Sequence, residues 1–143
     1  MRKPASLRTA AWVFLVGGAA GLVGLLVTPL DLPIYSIGAT TLSGRAFAAT
    51  AGVPFALGTA LFLIAGVALL KDYAWSRLSF VVAVLGYGIS AAWIGLKTGD
   101  AALTGNAGLG GFLLAVVAAI YLYRSSAVRA YYQQLSQRPG DGA

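Results

Sequence analysis

The sequence predicts an all-α integral membrane protein in which four transmembrane helices form a compact bundle with both termini in the cytoplasm. Composition is the first observation behind this prediction, because 59% of the 143 residues are hydrophobic and only 10% are charged. The mean hydropathy is +0.82, so we expect the surface of the folded chain to face lipid. The second observation is a set of four long apolar runs, and the third is that most basic residues lie on one side of them.

The four apolar runs define the spans. They cover about residues 10–30, 46–70, 78–96 and 107–123. Each is near the ~20 residues that an α-helix needs to cross a hydrocarbon core of ~30 Å. None alternates as a membrane β-strand does, and four strands could not close a barrel. We therefore expect one four-span domain over residues 1–143, followed within it by a cytoplasmic tail, residues 124–138, that continues the fourth helix.

The basic residues set the orientation. Only Arg45 and Lys97 fall on the outer side of a four-span topology. The other basic residues fall on the inner side: Arg2, Lys3, Arg8, Lys71, Arg77, Arg124, Arg129 and Arg138. By the positive-inside rule both termini are predicted to be cytoplasmic. Aromatic and basic side chains near the span ends are predicted interface anchors, namely Trp12, Trp75, Trp93, Arg45 and Arg124.

Arg45 lies next to the second span and could be either an anchor or a functional charge inside the membrane. Residues 46–70 extend ~37 Å as a helix, which exceeds the hydrocarbon thickness, so Arg45 need not enter it. An arginine at the bilayer centre costs ~2.5–3.5 kcal/mol on insertion scales, whereas one at the edge can extend its charge into water. We therefore interpret Arg45 as an outer-interface anchor that can pair with Asp31.

Small residues are expected to hold the helices together. Lipid tails are as apolar as leucine, so helices associate in a bilayer through close packing and hydrogen bonds. Gly17 and Gly21 show the GxxxG spacing of close helix pairs. The predicted packing positions are Gly17, Gly21, Gly24, Gly52, Gly58, Gly88, Ala92 and Gly111. We interpret them as contacts within one chain, with an oligomerisation face as the alternative.

Two features interrupt the apolar pattern. Residues 29–44 form the longest connection and are mostly apolar or neutral, so they are expected to lie on the membrane surface, to cap the bundle or to dock against another subunit. Pro54 lies inside the second span and removes the hydrogen bond to the carbonyl of Thr50. We expect the Thr50 hydroxyl to satisfy part of the freed backbone.

The polar and charged residues of the sequence exclude most kinds of catalytic and metal-binding site. The chain has no cysteine and no histidine, which removes disulfides, thiolate catalysis and the commonest metal and haem ligands. The acidic residues lie outside the predicted spans, at Asp31, Asp72, Asp100 and Asp141. No acid–base pair or activated nucleophile can be assembled, so we predict that the chain is not an enzyme and has no catalytic, cofactor or metal site. The net charge of +6 reflects topology, and no nucleic-acid partner is predicted.

A short stretch resembles a known family. Residues 14–18, FLVGG, are similar to a phrase near the start of small four-span flippases for polyprenyl-linked sugars. Those flippases also carry polar asparagine and arginine positions in and after the second helix, and this sequence has no counterpart to them. The resemblance therefore assigns no family.

Two functions fit these observations. The first is a non-catalytic accessory or structural subunit of a larger respiratory, photosynthetic or secretion-type complex, surrounded by lipid and by other membrane subunits. Such a subunit needs no cofactor, although lipid, quinone or carotenoid could lie against aromatic side chains such as Phe14, Phe62, Phe80 and Tyr87. The alternative is a small homo-oligomeric channel, transporter or lipid flippase. A transport path would need a polar stripe, and the spans offer only a sparse one: Thr50, Thr59, Tyr87 and Ser90.

The Ala- and Gly-rich composition favours a prokaryotic inner (plasma) membrane.

Overall fold

The computed structural model describes residues 3–33, 35–37 and 40–136. Five α-helices and one pair of antiparallel β-strands follow each other in these ranges. The elements are α1 (Ala5–Val27), β1 (Tyr35–Ile37), β2 (Thr40–Leu42), α2 (Gly44–Leu70), α3 (Ser76–Thr98), α4 (Gly108–Arg124) and α5 (Ser126–Ser136). A 3₁₀ turn over Thr28–Leu30 extends α1, and a π-helical turn over Leu103–Ala107 leads into α4.

Four helices are long and apolar enough to cross a membrane, as the sequence predicts. These segments are Ala5–Leu30, Gly44–Leu70, Ser76–Thr98 and Thr104–Arg124. Local signals fix their ends: the Ser43 side chain accepts a hydrogen bond from the Ala46 N–H at 3.4 Å and caps the start of α2. At the carboxyl end of α3, Gly99 adopts the left-handed conformation that ends many helices, with φ of 71°.

The long helices pack in chain order, α1 on α2, α2 on α3 and α3 on α4. The buried positions of α1 follow each other at steps of four and three residues, which places them on one face of the helix. These positions are Leu7, Ala11, Phe14, Gly18 and Gly21. On α4 the buried positions form a narrower stripe of Gly111, Ala115 and Leu122.

The bundle has one closed end and one open end. At the end that holds both termini, called here the termini end, the Ser6 hydroxyl lies 2.7 Å from the Tyr121 hydroxyl and joins α1 to α4. The same end contains the largest buried cluster, which draws on all five helices and includes Leu7, Leu69, Leu122, Val128 and Tyr132. Towards the opposite end, called the hairpin end, a groove lies between α1, α2 and α3.

The segment after α4 differs from the expected straight continuation. The backbone of Ser125 is extended, with φ of −60° and ψ of 123°, and α5 then packs across the termini end. Val128 and Tyr132 are buried, and the Tyr132 hydroxyl lies 2.6 Å from the Ser76 hydroxyl. The guanidinium of Arg77 lies over the Tyr132 ring at 4.4 Å. The helix turns back because Val128, Tyr131 and Tyr132 form an apolar face that packing buries. Residues 137–138 of the expected tail lie outside the described residues.

The connection before α2 also differs from an all-α chain. β1 and β2 pair antiparallel, with Tyr35 opposite Leu42 and Ile37 opposite Thr40. Among the three alternatives for residues 29–44, the described part of this segment caps the bundle, because Ile37 packs against Phe47 and Ala51 of α2.

Glycines let the helices approach each other closely. The closest contact to the backbone of a neighbouring long helix joins α3 to α4, where a Cβ added at Gly111 would lie 2.6 Å from the Gly88 Cα. Between α1 and α2, a Cβ at Gly21 would lie 2.5 Å from the Thr59 hydroxyl oxygen. A Cβ at Gly17 would meet the Phe62 ring at 3.2 Å. A side chain at Gly111 or Gly21 would force its neighbour to shift, whereas at Gly17 the Phe62 ring would have to move by only a few tenths of an ångström.

The other predicted packing positions are placed differently. A Cβ at Gly24 would lie 3.6 Å from the Phe55 ring, an ordinary contact, and Ala92 meets Gly108, the first residue of α4. A Cβ at Gly58 would lie 3.9 Å from the Ser90 hydroxyl. Within the described residues, Gly52 has no interhelical neighbour, because a Cβ there would meet only Ala48 of its own helix, at 3.7 Å.

Substitution of Gly111 by alanine is expected to loosen the α3–α4 pair. The added methyl collides with backbone, which cannot rotate away, so the free energy of unfolding should fall by about 1–3 kcal/mol. Gly110 is the matched control, because it is exposed and a Cβ there meets nothing within 4 Å. Equilibrium unfolding in mixed detergent measures the free energy of unfolding of both variants. Equal effects of Gly111→Ala and Gly110→Ala would contradict the contact.

Candidate functional site

A groove of about 510 Å³ lies between α1, α2 and α3 in the hairpin-end half of the bundle. We call it the capped groove and define it by the lining residues Gly21, Ile37, Phe55, Thr59, Tyr87 and Ile94. Its volume falls within the range of small-ligand sites, ~300–1,000 Å³. The lining is mainly apolar and aromatic, so the groove suits an apolar group.

The β-hairpin closes the capped groove at its outer end. The Tyr35 ring stacks on the Phe47 ring with 4.3 Å between centroids. The Tyr35 hydroxyl donates a hydrogen bond to the Gly24 carbonyl and lies 3.0 Å from the Thr28 hydroxyl. Ile37 is buried against α2 and lines the groove. The hairpin is therefore attached to both α1 and α2, and sequence reasoning missed this role of Tyr35 and Ile37.

A polar contact fixes the chain on either side of the hairpin. The Asp31 carboxylate accepts a hydrogen bond from the Arg45 backbone N–H at 2.9 Å, and the Arg45 Nε lies 3.6 Å from the other carboxylate oxygen. The expected pairing of these two residues is thus confirmed. The hydrogen bond from Arg45, followed by one from Ser43, lowers the pKa of Asp31. Gly44 is needed here, because a Cβ would lie 2.0 Å from the Thr28 carbonyl oxygen.

Aromatic rings end the capped groove at mid-bundle. Phe14 makes edge-to-face contacts with Phe62 and Phe80, with 4.8 Å between centroids in both pairs. Below these rings, Ala65 and Ala83 are fully buried. Of the four aromatic residues considered from the sequence, Phe62 and Tyr87 line the groove, whereas Phe14 and Phe80 belong to the core beneath it. The groove is therefore blind.

The polar residues of the spans do not form a continuous stripe. Thr59, Tyr87 and Ser90 line the capped groove, and the Ser90 hydroxyl donates to the Pro54 carbonyl at 3.2 Å. The Thr50 hydroxyl donates to the Ala46 carbonyl at 2.7 Å. The expectation that this hydroxyl compensates for Pro54 is wrong, because a donor bound to Ala46 leaves the Thr50 carbonyl without its helical partner.

A second groove, of about 560 Å³, lies on the opposite side of the α2–α3 contact. We call it the side groove and define it by Ala48, Thr50, Gly52, Leu57, Trp93 and Lys97. The ammonium of Lys97 lies 5.3 Å from the centroid of the Trp93 ring. This places one positive charge at the hairpin end of an otherwise mostly apolar surface.

The predicted interface anchors lie at the two ends of the bundle. Trp12 and Trp75 are half exposed at the termini end, Trp12 in the first half of α1 and Trp75 just before α3, whereas Trp93 is half exposed near the hairpin end. Arg124 is the last residue of α4 and is exposed, and the Arg45 side chain is 84% exposed. The structure contains no membrane, so their role as anchors remains a prediction.

The capped groove offers enclosure by apolar side chains. Among the described residues, no three His, Cys, Asp or Glu side chains lie together as metal ligands. The Tyr87 phenol is the one titratable side chain among the residues that line the capped groove.

Comparison of the chain with protein-family models, with curated proteins and with solved structures finds no match.

Acid is expected to loosen the attachment of the hairpin. The pKa of Asp31 in the folded chain lies below its ordinary value of 3.8, so the stabilisation is complete above that value and is lost as the pH falls through the lower, folded-state pKa. Amide hydrogen exchange at Arg45 and Phe47, corrected for intrinsic rates, should show less protection near pH 3 than near pH 5.

The matched variant for this experiment is Asp31→Asn. Its neutral amide removes the carboxylate and should give reduced protection already near pH 5, with no further loss on acidification. The same pH dependence in the variant and the parent chain would show that another group is responsible.

Proposed function

We propose that this chain is a non-catalytic accessory subunit of a larger membrane complex, of respiratory, photosynthetic or secretion type, in a prokaryotic inner membrane. The blind end of the capped groove carries the proposal. The Phe14, Phe62 and Phe80 rings and the buried cluster below them fill the termini-end half, so a single chain offers a pocket and no path through the bundle. This favours binding and packing over conduction.

The outward face of α4 supports contact with other membrane subunits. α4 packs on α3 through a narrow small-residue stripe, and its remaining circumference is apolar. Phe112 and Val117 are 55% and 62% exposed. Lipid or a neighbouring subunit must cover such a surface, because it is too apolar for water. In the proposed complex, another subunit covers α4 and lipid covers the outward face of α1.

The capped groove supports an auxiliary ligand and requires none. Its apolar lining and its aromatic side chains Phe55, Phe62 and Tyr87 suit a lipid chain, a quinone or a carotenoid. The polar atoms that line it belong to Thr59, Tyr87 and Ser90, which can orient such a ligand through hydrogen bonds. The proposed role of the ligand is structural.

Basic residues at the termini end support a cytoplasmic location of both termini. Lys3, Lys71 and Arg77 lie at this end, together with exposed Arg124 and Arg129. A surface of this kind is favoured beside the anionic cytoplasmic leaflet. Arg45 and Lys97 lie at the hairpin end, which we place on the outer side.

The accessory role predicts a fixed place in a large assembly. A tagged full-length chain, extracted from its own membrane in a mild detergent, should migrate with larger membrane proteins in constant stoichiometry. The control is the same tagged chain expressed in a membrane without those partners, where it should run at its own mass. A chain that runs alone in its own membrane contradicts the proposal, and ion or lipid flux in liposomes then tests the transport alternative.

Site-directed labelling tests the orientation. The chain has no cysteine, so single cysteines report without background. Ser126 at the termini end and Thr98 at the hairpin end are both exposed. A membrane-impermeant maleimide should label Thr98→Cys in intact cells and Ser126→Cys only after the cells are opened. The reverse pattern would overturn the proposed topology.

A further inference from the structure

We propose that the side groove is a binding site for one anionic phospholipid of the leaflet at the hairpin end. One acyl chain lies in the groove and the phosphate meets the Lys97 ammonium. This site is separate from the capped groove and does not depend on the accessory role. Three features of the groove lead to the assignment: its direction, the position of its charge and a backbone acceptor that lacks its regular helical donor.

The groove runs along the helices, as a lipid chain does. Its lining on α2 extends from Ala48 to Leu57, a distance of ~13.5 Å along the axis at ~1.5 Å per residue. The volume of about 560 Å³ lies on the outward side of the α2–α3 contact. Since both helices are long and apolar enough to span a bilayer, an open groove parallel to them is filled by hydrocarbon chains.

The charge lies where a headgroup would be. Gly58 and Ser90 face each other across the α2–α3 contact. Measured along the helices, Lys97 lies ~10.5 Å from Ser90 towards the hairpin end. Lys97 is also next to the end of α3 at Thr98. An apolar groove with one cation at its outer end therefore matches a molecule with an apolar chain and an anionic head.

The Trp93 ring holds the ammonium at the wall of the groove. The Lys97 Nζ lies 5.3 Å from the ring centroid, within the range of a cation–π contact. Indole rings are favoured at the level of lipid headgroups. A phosphate at this level would therefore meet a Lys97 ammonium that the Trp93 ring already holds in position.

A backbone acceptor that lacks its regular helical donor lies at nearly the same depth. Pro54 has no N–H, so the Thr50 carbonyl lacks the helical donor that it would otherwise have. Thr50 lies ~12 Å from Gly58 along α2, close to the level of Lys97, and both residues line the groove. A hydroxyl of a lipid headgroup can donate to this carbonyl, which favours a hydroxyl-bearing anionic lipid such as phosphatidylglycerol.

Trp93 can report the occupant directly. Replacement of Trp12 and Trp75 by phenylalanine leaves Trp93 as the only tryptophan. This chain is reconstituted in phosphatidylcholine vesicles with a minor fraction of either dibrominated phosphatidylglycerol or dibrominated phosphatidylcholine, whose bromine atoms quench nearby indole fluorescence. We expect the anionic lipid to be enriched about fivefold at Trp93, as one headgroup contact with a lysine provides.

Two variants separate a site from general contact with lipid. Lys97→Gln should abolish the preference for phosphatidylglycerol, whereas Lys71→Gln, which removes an exposed charge at the termini end, should leave it unchanged. Gly52→Leu projects into the side groove, where a Cβ at this position meets only Ala48 of its own helix, so it should reduce quenching by both lipids.

The opposite results would overturn the proposal. Equal quenching of Trp93 by both brominated lipids in the parent chain would show that no anionic site exists. If Lys97→Gln and Lys71→Gln reduce the preference for phosphatidylglycerol equally, the preference comes from the overall charge of the protein. Unchanged quenching in Gly52→Leu would show that the lipid lies outside the groove. Circular dichroism of each variant checks that the helices are retained.

Discussion

Close approach between helix backbones is the constraint on which the rest of this structure depends. In a bilayer, burial against another helix gains little over burial against lipid, so helices must meet at short range to hold together. Gly88 and Gly111 provide this between α3 and α4, and Gly21 provides it beside Thr59 between α1 and α2. Because these contacts join only neighbours in the chain, α1 and α3 are free to diverge, and the capped groove is the space that results.

The two ends of the bundle are stabilised by different interactions. At the termini end, Lys3 forms an ion pair with Asp72 and a hydrogen bond with the Leu69 carbonyl, which places a cation at the carboxyl end of α2. α5 adds the buried Val128 and Tyr132, and burial raises the pKa of the Tyr132 phenol. At the hairpin end, the Asp31–Arg45 contact and the Tyr35–Phe47 stack attach a short hairpin above an open space. One end is filled by side chains, and the other keeps room for a ligand.

The sequence predicts the four long helices because long apolar runs have few alternatives in a membrane. It does not predict the hairpin, because β1 and β2 have three residues each and show no readable alternation. The turn at Ser125 is also unmarked, since serine does not stop a helix, and only the spacing of Val128, Tyr131 and Tyr132 points to a separate amphipathic helix. Glycine spacing points to Gly17 and Gly21, where an added Cβ would meet the α2 side chains of Phe62 and Thr59. Ala48 and Gly52 have the same four-residue spacing, but they line the side groove. The spacing places two residues on one face of a helix, and only the tertiary packing decides whether another helix contacts that face.

The chain-order packing has a consequence for how the protein is made. Contacts between sequence neighbours need little loop closure, so α1 and α2 can pair before α3 has been synthesised, and α3 and α4 can pair next. The last helix is different, because α5 contacts residues from the loop and start of α3, such as Ser76 and Arg77. We therefore expect the four long helices to fold as two successive helical hairpins, with α5 packing against the start of α3 afterwards.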